Sequence, residues 1–245
     1  MQNLNSFKGI SSSELRGFFT GLILGDATID RGVRARALRM KFTNKEFLDL
    51  VVSIVEENTP FKYYLREQPK RVDSNGVHHR RYWDFGIVAH PYFNKLYHYF
   101  YNDTRHRVVY SKNMRWLNPI GLASWYMSDG YVCLVGKTKG QIVDRRMDIC
   151  TDRYYLEDIH LMQCVLKERF DIETTVIKRG KFYRIRVAKS SYEQFISTVS
   201  PYIVPSMQYK LYLGYQSKPD ILSEDAWEFQ QYLHSATTLT DNAEG

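Results

Sequence analysis

The sequence predicts an α+β protein of two pseudo-symmetric halves around a central pair of helices, and three observations carry that expectation. Gly21 to Asp26 (Gly-Leu-Ile-Leu-Gly-Asp) and Ser124 to Asp129 (Ser-Trp-Tyr-Met-Ser-Asp) read as two copies of a short apolar helix ending in a carboxylate. Laid on each other, they put Gly21 over Ser124, Gly25 over Ser128 and Asp26 over Asp129. Small residues thus recur four apart on each copy, a spacing that lets two helix backbones approach closely. Finally, the chain around each copy repeats one order of elements: helix, hairpin, helix, hairpin, helix.

In the first half, Ser13 to Leu24 reads as an apolar helix, with Ser12 or Ser13 as N-cap and Glu14 in the first turn, where a carboxylate suits the helix dipole. Thr28 to Phe42 comes next as a hairpin around Arg31, Gly32 and Val33; its second strand alternates Leu38, Met40 and Phe42 against Arg39 and Lys41. Asn44 to Glu57 is an amphipathic helix. Phe61 to Glu67 and His79 to Val88 form a second hairpin, and Pro91 to Tyr101 a closing helix. The second half repeats this with helix Gly121 to Ser128, strands near Tyr131 to Val135 and Asp144 to Thr151, helix Tyr154 to Phe170, hairpin Glu173 to Ala188 and helix Ser191 to Val199. Thr43-Asn44-Lys45 before one long helix echoes Thr151-Asp152-Arg153 before the other. The expected organisation is therefore a first half over 1–104, a basic connector over 105–118, a second half over 119–217 and an acidic, polar tail over 218–245.

A chain of 245 residues that is 44% hydrophobic can bury a core without staples. Net charge +7 and a pI near 9.2 favour a polyanionic partner, and the basic residues are interleaved with aromatics, 19 of them tyrosine. Cys133, Cys150 and Cys164 are odd in number and lack metal-ligand spacing, which fits reduced thiols and argues against a structural zinc. No stretch approaches the roughly 18 apolar residues of a membrane span, and the N-terminus does not read as a secretion signal. The expected location is cytoplasmic or organellar, in the compartment of the genome that encodes the protein.

The chain resembles a single-chain, two-motif LAGLIDADG homing endonuclease. The residues that carry the resemblance are Gly21 to Asp26, Leu122 to Gly130 (Leu-Ala-Ser-Trp-Tyr-Met-Ser-Asp-Gly), and Pro201 to Leu211 (Pro-Tyr-Ile-Val-Pro-Ser-Met-Gln-Tyr-Lys-Leu), the last like the segment that brings a lysine to the active site in this family. The resemblance implies two αββαββα halves related by a pseudo-twofold axis, with the two motif helices packed at the centre. It also implies two saddle-shaped antiparallel sheets lying in the DNA major groove.

Hydrolysis of a phosphodiester needs a nucleophilic water, neutralisation of charge building on the phosphate, and help for the leaving oxygen. Mg²⁺ supplies parts of all three and prefers hard oxygen ligands; Mn²⁺ is expected to substitute. Asp26 and Asp129 are the candidate metal ligands, one per scissile phosphate, with the backbone carbonyls of Gly25 and Ser128 as additional ligands implied by the resemblance. The plain alternative is that each aspartate merely ends a helix at a turn. Lys210 is the candidate for stabilising transition-state charge or orienting water. Its first-half counterpart falls in the connector, where the family usually has a lysine before an apolar residue and a proline. Here Arg107 precedes Val108 and Val109, with Arg105 and His106 adjacent, and the sequence leaves open which of the three takes the role.

DNA contact is expected on the polar faces of the hairpins. The candidates are Arg34, Arg36, Arg39 and Lys41 in the first; Arg80 and Tyr82 in the second; Lys137, Lys139 and Arg145 in the third; and Lys178, Arg184 and Arg186 in the fourth. Trp83, Trp116, Trp125 and Trp227 read as core or interface anchors rather than base-stacking platforms. The function read from the chain is a monomeric, Mg²⁺-dependent endonuclease cutting double-stranded DNA at a long asymmetric site, without an obligate protein partner, as the homing enzyme of a mobile intron. An intein host does not fit, since no nucleophilic N-terminal Cys or Ser and no terminal His-Asn is present. The competing readings are an intron maturase or a non-cleaving nucleic-acid-binding regulator on the same fold, and an α+β interaction module with an accidental repeat.

Overall fold

The computed structural model describes residues 9–30, 36–72, 76, 78–104, 106–138 and 141–211, and of residues 79, 134–138 and 141–144 the backbone alone. The first half comprises α1 (Ser12–Leu24), β1 (Thr28–Asp30), β2 (Arg36–Phe42), α2 (Lys45–Asn58), β3 (Tyr63–Gln68), a short ribbon of β4 (Arg71–Val72) and β5 (His78–His79), β6 (Tyr82–His90) and α3 (Pro91–Phe100). After a one-turn α4 (Ser111–Met114) come α5 (Pro119–Asp129), β7 (Gly130–Thr138), β8 (Gln141–Ile149), α6 (Leu156–Phe170), β9 (Thr174–Arg179), β10 (Phe182–Val187) and α7 (Tyr192–Val199). A 3₁₀ segment, Pro205–Lys210, ends the described chain.

Both sheets are antiparallel with four strands, ordered β1-β2-β6-β3 and β7-β8-β10-β9. In each half the strands are therefore joined in the same sequence, the outcome expected of a duplication. Apolar alternation directs one sheet face inward: Leu38, Met40 and Phe42 on β2, and Ile185 and Val187 on β10, are buried. They join α1, α5 and the long helices in one continuous core that spans both halves. Trp125 is fully buried and Trp83 and Trp116 pack against the core, while Trp227 lies outside the described residues, as do Arg105 and the turn Arg31-Gly32-Val33.

Helix starts are set by side-chain chemistry. The cap of α1 is Ser11 rather than Ser12 or Ser13: its hydroxyl accepts from Glu14 N at 3.2 Å, and Glu14 Oε2 accepts from Ser11 N at 2.8 Å, a reciprocal capping box. Asn44 caps α2 and Asn118 caps α5, whose Pro119 suits the first helical turn.

The central helices run side by side in the same direction. Asn118 Nδ2 donates to the Ser13 and Glu14 carbonyls at 3.3 and 3.4 Å, so the two helices begin together. Further along, a Cβ on Gly21 would sit 1.9 Å from the Gly121 carbonyl oxygen, and a Cβ on Gly121 2.3 Å from that of Gly17. At the far end a Cβ on Gly25 would lie 2.5 Å from Ser128 Cβ. Backbones this close leave no room for a side chain. Gly21 thus crosses Gly121, not its aligned counterpart Ser124, whose hydroxyl returns to the Ile120 carbonyl at 2.7 Å.

Candidate catalytic centre and nucleic-acid interface

Because α1 and α5 meet at Gly25 and Ser128, the next residues along each chain segment, Asp26 and Asp129, come out at one place. Gly130 closes α5: its N–H bonds the Tyr126 carbonyl, and a Cβ there would run into the Tyr126 ring at 2.1 Å. Cys150 N donates to the Asp129 carbonyl at 2.9 Å, which ties the acid to the end of β8.

The electrostatics of the two acids differ in degree. Burial raises Asp129, and the negative charge of Asp26 adds to the shift, bringing its carboxyl to about 7. Burial also raises Asp26, although the residue is more open to solvent than Asp129. Three cations oppose these shifts on both acids: Arg153, Lys210 and Arg107.

Each cation is held differently. Lys210 is 9% exposed and donates from Nζ to the Met127 carbonyl at 2.6 Å; burial lowers it to about 8. Tyr126 OH donates to the Lys210 carbonyl at 2.8 Å and seats the residue. Arg107, 6% exposed, donates from Nη1 to the Gly25 carbonyl at 2.6 Å and from Nη2 to the Ala27 carbonyl at 2.7 Å. It therefore brackets Asp26 from behind. Arg153, at the start of the segment leading into α6, is exposed, and its charge favours the ionised form of both acids.

The outward sheet faces flank this centre. Register in the first sheet sets Lys41, Asp84 and Arg66 in one row and Thr28, Arg39, Gly86 and Tyr64 in the next. Arg39 pairs with Asp30 at 2.7 Å with both side chains exposed, and Lys41 lies 5.0 Å from the Tyr82 ring. In the second sheet one row holds Tyr131, Asp148, Arg186 and Thr175. Arg184 and Arg186 do share a face, but both are engaged by carboxylates. Arg186 grips Asp148 through Nε and Nη2 at 2.7 and 2.8 Å, and Arg184 grips Asp152 through the same two nitrogens, each at 2.8 Å. Asp148 is completely buried and also accepts from Tyr131 OH at 2.9 Å.

A family model of the LAGLIDADG DNA endonuclease family matches residues 16–195, most of the chain and both acids. The chain belongs to that family. Among curated relatives it is 24% identical to the cytochrome b mRNA maturase bI2 of Debaryomyces hansenii, over 81% of this chain and 73% of the relative. It is 23% identical to a probable intron-encoded endonuclease 1 of Wickerhamomyces canadensis, over 78% and 80%. To the DNA endonuclease I-ChuI of Chlamydomonas applanata it is 25% identical, over 78% and 91%. Among solved structures, the homing endonuclease I-WcaI bound to its DNA recognition sequence superposes with a TM-score of 0.69 at 21% identity, over 88% of this chain and all of that one. The LAGLIDADG fold expected from the sequence is the fold present.

Within this LAGLIDADG protein, Asp26, Asp129, Lys210 and Arg107 converge, although they are dispersed along the sequence. The Gly25 carbonyl, expected as a ligand, accepts from Arg107 on one of its two lone pairs, and the Ser128 hydroxyl donates to the Ser124 carbonyl at 3.0 Å. Several interface candidates are also placed elsewhere. The Arg36 guanidinium lies 3.3 Å over the Tyr97 ring of α3, drawn there by a register shift between Arg36 and Leu38. Arg145 has the strand parity of buried Met147 and Ile149, so it packs over Tyr192 of α7 at 5.6 Å. Lys178 pairs with Tyr183, on the opposite parity from Arg184 and Arg186. Arg80 is exposed but precedes β6 rather than lying in it. Arg34 and Lys139 lie outside the described residues, and Lys137 is described by its backbone alone.

Sequence reasoning missed Arg66, Asp148, Asp152 and Arg153. A signal for Arg153 was present: it occupies the place of Lys45 in the repeated Thr-Asn-Lys and Thr-Asp-Arg segments. Among the described residues no group of three or more His, Cys, Asp or Glu side chains is arranged to hold a metal. An ion at either acid would have few protein ligands and complete its shell elsewhere, which suits one that keeps several waters and substrate phosphate oxygens. The raised carboxyls fit the same view, because a cation beside each acid would relieve its burial and the repulsion between the two.

Proposed function

We propose that this LAGLIDADG protein is the homing endonuclease of a mobile intron, cutting both strands of a long asymmetric DNA site with Mg²⁺. The observation that carries this reading is the convergence of two like acids and three cations at the ends of the paired helices, between two outward sheet faces bearing Arg39, Lys41, Arg66, Arg184 and Arg186. One acid would serve each strand, with Asp26 and Asp129 as the ion's protein ligands. The bound ion would supply charge neutralisation at the phosphate and a more acidic water. Arg153, exposed beside both acids, is suited to meet a phosphate oxygen directly, whereas Lys210 acts from beneath through its field. The paired Arg184 and Arg186 present fixed guanidinium planes, so they restrict which groove groups can approach. The reading also implies an organellar or cytoplasmic site of action; among the described residues no helix is long and apolar enough to cross a membrane.

The test uses a duplex carrying an uninterrupted insertion site, with Mg²⁺ or with chelator. Wild type should linearise it only with the ion, and Asp26→Asn and Asp129→Asn should each lose cleavage by about 10² to 10⁴-fold. A wild type that binds its site and never cuts it would sink the proposal. Similarity to the Debaryomyces hansenii maturase favours a second reading, assistance to intron splicing on the same fold. Splicing that survives the double variant Asp26→Asn, Asp129→Asn would support it.

A further inference from the structure

Among the described residues, the turn carrying Asp26 is held by different groups from those around Asp129. Arg107 takes the Gly25 and Ala27 carbonyls on either side of the acid. Tyr154, a residue of the second half, donates from its hydroxyl to the Leu24 carbonyl at 2.8 Å and is 8% exposed. Successive backbone oxygens leading into and out of Asp26 are thus bonded to buried donors. At Asp129 the corresponding carbonyl, Met127, has Lys210, a single amine with one bond. The first-half position equivalent to Tyr154 is Glu46, the residue after Lys45. Its carboxylate accepts from Ser206 N at 2.9 Å, and an ionised carboxylate has no proton to donate to a carbonyl.

Tyr154 is itself anchored to the outward face of the second sheet. In the three residues before it, Thr151 Oγ1 donates to the Tyr183 carbonyl at 2.7 Å, Asp152 is gripped by Arg184, and the charge of Arg153 acts on both acids. One short turn therefore joins β10, the acids and the end of α1.

We propose that Tyr154 and Arg107 form a clamp that positions Asp26, so that cleavage of the two strands depends unequally on contacts made by the second half. The clamp presupposes the endonuclease reading. Both are positioning residues: the Tyr154 hydroxyl and both terminal nitrogens of Arg107 donate to backbone carbonyls around Asp26. A loosened Asp26 turn misplaces one centre while leaving the other intact, and small misplacements of reacting groups lower rates steeply.

The experiment labels each 5′ end of the target duplex separately and tracks both strands with the full-length protein. Tyr154→Phe removes one hydroxyl, and Arg107→Lys keeps the charge while losing the two-pronged grip. Each should leave DNA affinity within about twofold and slow one strand by roughly ten- to a hundredfold relative to the other. The slowed strand should be the same in both variants, and nicked circles should accumulate from supercoiled substrate. Equal slowing of both strands, no slowing, or opposite strands in the two variants would overturn the clamp. Thermal melting of Tyr154→Phe, which retains the buried ring, separates positioning from loss of fold. Failure of the wild type to cut either strand would instead count against the endonuclease reading, and it would show before any variant is assayed.

Discussion

The end of α1 and the end of α5 carry the same acid after the same kind of helix, yet their surroundings are built from different chemistry. Asp26 leaves a turn gripped by a guanidinium and a tyrosine hydroxyl, and it stays open to solvent. Asp129 ends a helix underlain by a single buried amine and tied through its carbonyl to β8, and its carboxyl is the more strongly raised. The outer faces differ likewise. Arg39 and Asp30 form an exposed pair in the first half, while Arg186 serves a fully buried Asp148 in the second. The inward faces of the strands are preserved between the halves because apolar alternation sets them; polar partners diverge because single substitutions change them without disturbing the core.

The largest expected effect tests what the halves share. Gly21→Val would place side-chain carbon against the Gly121 carbonyl, where even a Cβ comes to 1.9 Å, and should cost about 3 kcal/mol or more in urea unfolding as both halves lose their common seam. An unchanged unfolding midpoint would mean that the close crossing does not hold the halves.

The next effect separates them. Arg186→Met leaves the Asp148 carboxylate buried without its ion partner, for an expected loss of about 3 to 5 kcal/mol. Arg39→Met, at the exposed pair with Asp30, should change stability by only about 0 to 1 kcal/mol. Comparable losses in the two variants would erase the contrast between the sheet faces.

A further contrast concerns pH. Asp129 binds its proton more tightly folded, at about 7, than unfolded, near 3.8. The unfolded state therefore holds fewer protons between these values, and this group's contribution to stability falls as pH rises from about 4 to 7. In metal-free protein, Asp129→Asn should accordingly gain stability relative to wild type at pH 8 compared with pH 5. Asp26→Asn should show a weaker trend of the same sign, since its carboxyl keeps solvent. Mg²⁺ at pH 8 should raise the melting temperature of wild type more than that of Asp129→Asn.

Much of this was legible in the chain. The duplicated helices announced the acids, and the repeated order of helices and hairpins announced two like sheets, because periodicity is local and survives divergence. Lys210 was visible through the segment that contains it. The placement of Arg107 was not, since it depends on a buried side chain reaching the carbonyls of Gly25 and Ala27, far away in sequence. Arg145 and Lys178 went astray for a related reason: alternation says that neighbours in a strand face opposite ways, but only pairing says which parity faces outward. Asp148 and Asp152 gave no local sign of their arginine partners.

The sequence by itself determined the pattern of apolar and polar residues, the two helix ends and their acids, and hence a family fold with a place for chemistry. Only the tertiary structure decided how that place is wired: that Gly21 meets Gly121, that Arg107 reaches the Gly25 and Ala27 carbonyls, and that Tyr154 reaches across to Leu24. The physical reason is one of range. Burial and hydrogen-bond periodicity are written every two or four residues along the chain, whereas a hydrogen bond between residues 130 apart exists only once the core has brought them together.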